Sequence, residues 1–249
     1  MSSDNPAPDA QSAAADARAA GSDSHPPTEA RPAAAPAGPG QPRWLVAMLV
    51  AVCALALLAA GGAVAVVGGL GREAAPAEDS VDAGFARDMM VHHQQAVVMA
   101  GWVRDHGTNP DVRLVGYDIE TQQLTEIGLF KGWLDGWGRL GTSDREPMSW
   151  MSGQHVHLQS GGLMPGMATA AELARLKSLS GAELDTFFLQ LMIRHHQGGI
   201  PMARYAADHA GTDYVRTAAR KMADAQSIDI VNMDRLLRAL GGTPLPPPG

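Results

Sequence analysis

The stretch Met89-Met90-Val91-His92-His93-Gln94-Gln95-Ala96-Val97-Val98-Met99-Ala100 returns 103 residues later as Met192-Ile193-Arg194-His195-His196-Gln197-Gly198-Gly199-Ile200-Pro201-Met202-Ala203. Met, His, His and Met hold matching places in both copies. The match extends outward without a gap: Asp82 pairs with Asp185, Phe85 with Phe188, His106 with His209, Arg113 with Arg216, Gln123 with Gln226, Ile127 with Ile230 and Gly138 with Gly241. The repeated unit is a helical hairpin, which cannot bury its apolar face alone. Two such hairpins predict an all-α, antiparallel four-helix bundle with a pseudo-two-fold axis, across which the first and third helices face one another.

Local signals divide the chain around that core. Phe85, Met89, His92, His93, Ala96, Met99 and Val103 recur at three- and four-residue steps, predicting one face of a helix from Val81 to His106. Asn109 and Pro110 start a second helix, which carries Leu114, Ile119, Leu124, Ile127, Phe130 and Leu134 to about Trp137. Thr169 to Glu172 is a capping box for a short helix to about Lys177. Ser180 to Glu183 is another, for a long helix through Phe187 and Met192 to His209. Thr212 is a good N-cap for the last helix, which ends at Gly241-Gly242. The domain organisation read from these signals has a bundle over 81–241. It comprises repeat 82–138, a Met-rich connection 139–180, and repeat 181–241, with a loose Pro-rich tail over 242–249.

The rest of the chain is a tether. Residues 1–43 are polar and poor in aromatic or large aliphatic residues, a composition that cannot offset chain entropy, and they read as disordered. Residues 44–70 carry no charge and are mostly Leu, Val and Ala, longer than the roughly 20 residues that a membrane-spanning helix needs. A cleaved signal peptide is the rival reading, but its apolar region is shorter and nearer the N-terminus. The expectation is a single-pass cell-membrane protein, anchored in the lipid bilayer through 44–70, with linker 71–80 and the bundle on the extracytoplasmic side. The only cysteine, Cys53, lies in the apolar run, so no disulfide framework exists. A net charge of −7 without a basic patch argues against nucleic acid.

Residues four apart on a helix share a face, and residues seven apart share a stripe. Met89 and His93, His92 and Met99, Met192 and His196, and His195 and Met202 are so spaced. The candidate metal ligands are therefore Met89, His92, His93, Met99, Met192, His195, His196 and Met202, up to eight groups converging if the copies face each other. The competing reading makes Met core filler and the His pairs a buried hydrogen-bond network, with Gln94 and Gln197 as partners, in a metal-free helical interaction module. Imidazole and thioether without thiolate suit copper, above all Cu(I). Zinc prefers Cys or carboxylate beside His. A di-iron site needs Glu-x-x-His, which the bundle lacks, and Glu120 and Glu126 have Ala223 and Asp229 as repeat partners. Asp88, four before His92, is a candidate to orient that imidazole. Met148, Met151, His155, His157, Met164 and Met167 form either a looser copper site or a loop packed over the bundle. His106 and His209 sit at helix C-termini, where the helix dipole favours them. Trp102, Trp133, Trp137 and Trp150 read as core or rim. No nucleophile–base pair, phosphate loop or nucleotide fingerprint is present, so a copper-dependent oxidoreductase stands third and no catalysis is expected. The metal ion is the expected partner; a homo-oligomer or a metal-transfer partner stays open.

The Met-x-x-His-His-x-x-x-x-x-Met signature in both halves, with Met164-Pro165-Gly166-Met167 ahead of the capping-box helix, resembles the "domain of unknown function 305" family of bacterial exported proteins over about 81–241. The resemblance implies a ferritin-like four-helix bundle and, for some members, periplasmic copper binding and resistance through Met and His. The chain departs from the commoner pattern at Gly198-Gly199 and Pro201, where helix-compatible residues including an acidic one are expected. Pro201 is expected to kink its helix and free a carbonyl.

Overall fold

The computed structural model describes residues 42–67, 74–153 and 158–248. The polar tail and the His155–His157 pair lie outside the described residues. The chain divides into two compact units, Met1–Gly71 and Arg72–Gly249.

In the first unit, helix α1 runs over Arg43–Val67. Its 23-residue segment Arg43–Ala65 has a mean hydropathy of 2.6 and none of it is buried. At about 1.5 Å per residue the helix exceeds the roughly 30 Å of a bilayer's hydrocarbon core, so it is long and apolar enough to cross a membrane.

The second unit holds α2 (Val81–His106), α3 (Pro110–Gly136), α4 (Ala170–Ser178), α5 (Gly181–His209) and α6 (Asp213–Ala239). Among the described residues there is no strand, only an isolated antiparallel bridge between Gln159 and Leu163. Three of the caps are local. Ser80 accepts from the Ala83 N–H of α2. Asn109 Oδ1 accepts from Asp111 N and Val112 N at 2.9 and 3.2 Å, with Pro110 at the first helical position. Thr169 and Glu172 form the capping box of α4.

Two caps expected from sequence do not form. Ser180 makes no side-chain bond to α5, and Gly181 after it has φ +60°, a left-handed backbone at the first helical residue. Thr212 does not accept from α6; its hydroxyl donates to Asp82 at 2.7 Å. Asp82 also accepts from Gly211 N and Thr212 N at 2.7 and 3.0 Å. Asp185, its counterpart 103 residues on, accepts from the Thr108 hydroxyl and from Thr108 N and Asn109 N at 2.7, 3.1 and 2.8 Å. A carboxylate at the start of α2 thus closes the turn before α6, and one at the start of α5 closes the turn before α3.

α2 packs on α3, α5 on α6, and α2 on α5. The apolar core falls into two clusters. One takes Phe85 and Met89 of α2, Phe130 and Leu134 of α3, Met202 and Ala206 of α5, and Val215 and Met222 of α6. The other takes Met99 and Val103, Val112 and Ile119, Phe188 and Met192, and Met233 and Leu237 from the same four helices. The predicted face of α2 is wholly buried. On α3, Leu114 and Leu124, expected inside, are 57% and 50% exposed, because Val112, Ile119 and Phe130 occupy the inner stripe. Met148, Met151, Met164 and Met167 of the connection are buried in the first cluster. The C-terminal segment is tied down where a loose end is expected: Thr243 O accepts from Gln190 Nε2 at 2.7 Å, and Leu245 packs on the second cluster. α5 runs as helix through Pro201.

Candidate metal centre

Between the two apolar clusters, every one of the four long helices carries buried polar residues. These are His92 and His93 on α2, Gln123 on α3, His195 and His196 on α5, and Gln226 on α6, none more than 2% exposed. Helical spacing places them there: His92 and His93 continue the Phe85–Met89 stripe one turn further on, as His195 and His196 continue Met192. Met89 and Met202 lie in one flanking cluster, Met99 and Met192 in the other. The eight candidates therefore form a histidine layer with a pair of thioether side chains on each side.

The rings of His92 and His195 lie against each other with centroids 3.8 Å apart, tilted by 38°. His195 Nε2–H donates to the His92 carbonyl at 3.0 Å, and His92 Nε2–H donates to the Pro165 carbonyl at 3.1 Å. His93 Nε2–H donates to Glu126 at 2.7 Å and His196 Nε2–H to Asp229 at 3.3 Å. A carbonyl or carboxylate can only accept, so each ring carries its proton on Nε2. All four Nδ1 atoms are buried and receive no hydrogen bond from the protein. Burial pushes the His92 pKa down to about 3. Burial also lowers His93, against the pull of Glu126. Burial and the neighbouring imidazoles hold His195 well below the usual histidine range. These rings are neutral, the form that binds a metal.

The donor set fits a soft or borderline cation. A ligating histidine characteristically donates its other N–H to a carboxylate or carbonyl, and all four rings do so. The buried Oε1 atoms of Gln123, Gln197 and Gln226 also receive no protein hydrogen bond. The layer thus has a surplus of lone pairs, each costing about 1–3 kcal/mol if left unpaired. Among the described residues, no three His, Cys, Asp or Glu side chains are grouped to hold one metal ion, so thioether or amide groups have to complete any such site.

Several partners differ from those the sequence suggests. Gln94 is exposed and Gln197 makes no bond to an imidazole. Asp88 does not meet His92; it accepts from Met148 N at 2.6 Å and Trp150 Nε1 at 2.7 Å, and burial raises its pKa. The histidine partners are Glu126 and Asp229, each 33 residues after its histidine. The sequence signal for them is that the repeat keeps an acid at this place, whereas Glu120 is matched by Ala223. His106 and His209 donate from Nδ1 to the Trp102 and Tyr205 carbonyls, both at 2.9 Å, and stack on those rings.

The Met164–Met167 segment lies on the layer. Gln95 clasps Ala168 through both amide atoms, at 2.9 and 2.6 Å. Opposite, a Cβ at Gly198 would collide with the Pro165 carbonyl, and one at Gly166, φ +81°, with the Arg194 carbonyl. Gly198 is glycine because backbone meets backbone there. A Cβ at Gly199 would stand 2.7 Å from Gln226 Oε1 and 3.3 Å from His92 Cε1, so this glycine admits the amide beside the imidazole.

Residues 82–237 match the family described as "Domain of unknown function (DUF305)". No curated protein matches the chain. Among solved structures, a putative secreted protein DUF305 from Streptomyces coelicolor is 41% identical, with a TM-score of 0.63 over 68% of this chain and 99% of that one. A DUF305 fragment from Deinococcus radiodurans is 27% identical, with a TM-score of 0.53 over 64% of this chain and 96% of that one. CopM in the Cu(I)-bound form is 22% identical, with a TM-score of 0.51 over 65% of this chain and 98% of that one, a likeness of fold. The match of residues 82–237, most of the helical unit, makes this chain a member of the DUF305 family.

Proposed function

We propose that this chain is a membrane-anchored, extracytoplasmic metal-binding protein that sequesters or hands on copper, chiefly Cu(I). α1 is its single-pass anchor, and residues 81–241 are a ferritin-like four-helix bundle of two repeated hairpins. Met89, His92, His93, Met99, Met192, His195, His196 and Met202 supply its ligands. The observation that carries the reading is the set of four buried imidazoles with Nε2–H committed and Nδ1 bare. Glu126, Asp229 and the Pro165 and His92 carbonyls hold the rings in that tautomer. Thioethers on both sides favour the reduced ion. CopM, similar in fold, is a protein with a Cu(I)-bound form. The mechanism is ligand exchange, with no bond-making chemistry.

A second reading has its own support: no three ionisable ligands are grouped and every Nε2 is already bonded. In it the layer is a structural network of a metal-free interaction module. A Cu(I) titration of the full chain in detergent, against a chromogenic chelator, separates the two. Saturable binding, lost when His92, His93, His195 and His196 are replaced by Gln, supports copper. Weak binding, equal in both proteins, with the variant losing stability, overturns it.

A further inference from the structure

The polar layer holds two groups that neither reading uses. Gln123 and Gln226 are each 2% exposed, and both Oε1 atoms are buried with no donor from the protein. They occupy equivalent positions of the repeat. Each sits between the two apolar clusters on its own helix, as the histidines do on theirs. Gln226 Oε1 and His92 Cε1 both come against Gly199, 2.7 and 3.3 Å from where its Cβ would stand. An amide oxygen kept in the core without a donor, twice, between the same two apolar clusters as the bare imidazole nitrogens, has no account in packing. Leu or Met would fill the same volume without an unpaired acceptor.

Resting on the metal-binding reading above, we propose that Gln123 and Gln226 are oxygen donors of this layer, and that they fit it to the oxidised ion, Cu(II). Amide oxygen is a harder ligand than thioether, and Cu(II) takes nitrogen and oxygen where Cu(I) takes sulfur. Imidazole nitrogen serves both ions. The layer then offers nitrogen and oxygen at the histidine level, with thioethers above and below it. One protein accepts copper in either state by which neighbours complete the imidazole set. The two ends of the repeat are not equal in this respect. Gly199 admits the Gln226 amide, and the place of Gly199 is taken by Ala96 in the other copy.

The test uses the full chain in detergent, wild type against Q123M/Q226M, which exchanges oxygen for sulfur at nearly constant volume. Cu(II) is titrated against a carboxylate chelator with electron paramagnetic resonance of the bound ion; Cu(I) is titrated against a chromogenic chelator. The expected result is a loss of Cu(II) affinity of about 10-fold or more, a changed Cu(II) spectrum, and Cu(I) affinity held or improved. The metal-free variant melts at or above the wild-type temperature, since an unpaired acceptor has been removed. An unchanged Cu(II) affinity and spectrum overturns the assignment while leaving copper binding intact. Equal loss for both ions, or a metal-free protein that melts lower, overturns it too, by showing the amides to be structural. A wild type that binds neither ion overturns both this inference and the function it rests on.

Discussion

His92 shows how burial sets the chemistry of a side chain. Its ring is fully buried, its only protein hydrogen bond runs from Nε2 to Pro165, and it stays neutral until about pH 3. An exposed histidine takes up its proton near pH 6.5. Between those values the unfolded chain binds the extra proton, so the metal-free fold loses stability as pH falls from about 6.5 towards 3. His93 and His195, also lowered by burial, act in the same direction. The expected slope is about 1.4 kcal/mol per pH unit for each histidine held neutral. Urea unfolding of the metal-free protein between pH 7 and 4.5 measures it, and a flat profile would contradict the neutral layer. That His92 and His93 face inward was legible from their three- and four-residue spacing to Met89 and Ala96. That each ring keeps Nδ1 bare was not, because the tautomer depends on Glu126, Asp229 and Pro165, which lie far along the chain.

Among the elements, the turns before α3 and α6 are closed from outside their own hairpins. Asp82 and Asp185 each accept three or more hydrogen bonds, from Gly211 and Thr212 and from Thr108 and Asn109. Sequence reading names Thr212 and Ser180 as caps, since a hydroxyl before a helix is the local rule. A carboxylate 130 residues away in sequence outcompetes the local arrangement at Thr212, because a charge-assisted bond is stronger than a neutral one. Asp82→Ala and Asp185→Ala should each cost about 2 kcal/mol, by removing a buried carboxylate and its charge-assisted hydrogen bonds to the turn. Their separation makes the double variant roughly additive. Chemical denaturation of the three variants checks this; a loss below that of an ordinary surface substitution would show the turns to be held otherwise. Gly198 belongs to the same scale. As a departure from family pattern it looks like a weakened helix, and only the Pro165 carbonyl against it explains the missing side chain.

For the whole molecule, the two units make separate demands on the solvent. α1 leaves a 23-residue apolar span with no part buried by protein, while the second unit closes its own core. The anchor reading predicts that the full chain stays with the membrane fraction after an alkaline carbonate wash, and that residues 72–249 alone are recovered soluble. Recovery of the full chain in the soluble fraction would refute the anchor. Local features were legible along the chain: helix boundaries at Val81, His106 and Pro110, the inward stripe of α2, the Thr169 capping box, and an apolar segment of membrane-spanning length. These follow from spacing, backbone preference and composition, which neighbours in sequence decide. The tertiary structure alone decided which groups meet: His92 on His195, Glu126 under His93, Asp229 under His196, and Gln226 over Gly199. It also sent Asp88 to Trp150 rather than to His92. Such pairings are set by packing between helices tens of residues apart in the chain, and no periodicity within one helix encodes the partner on another.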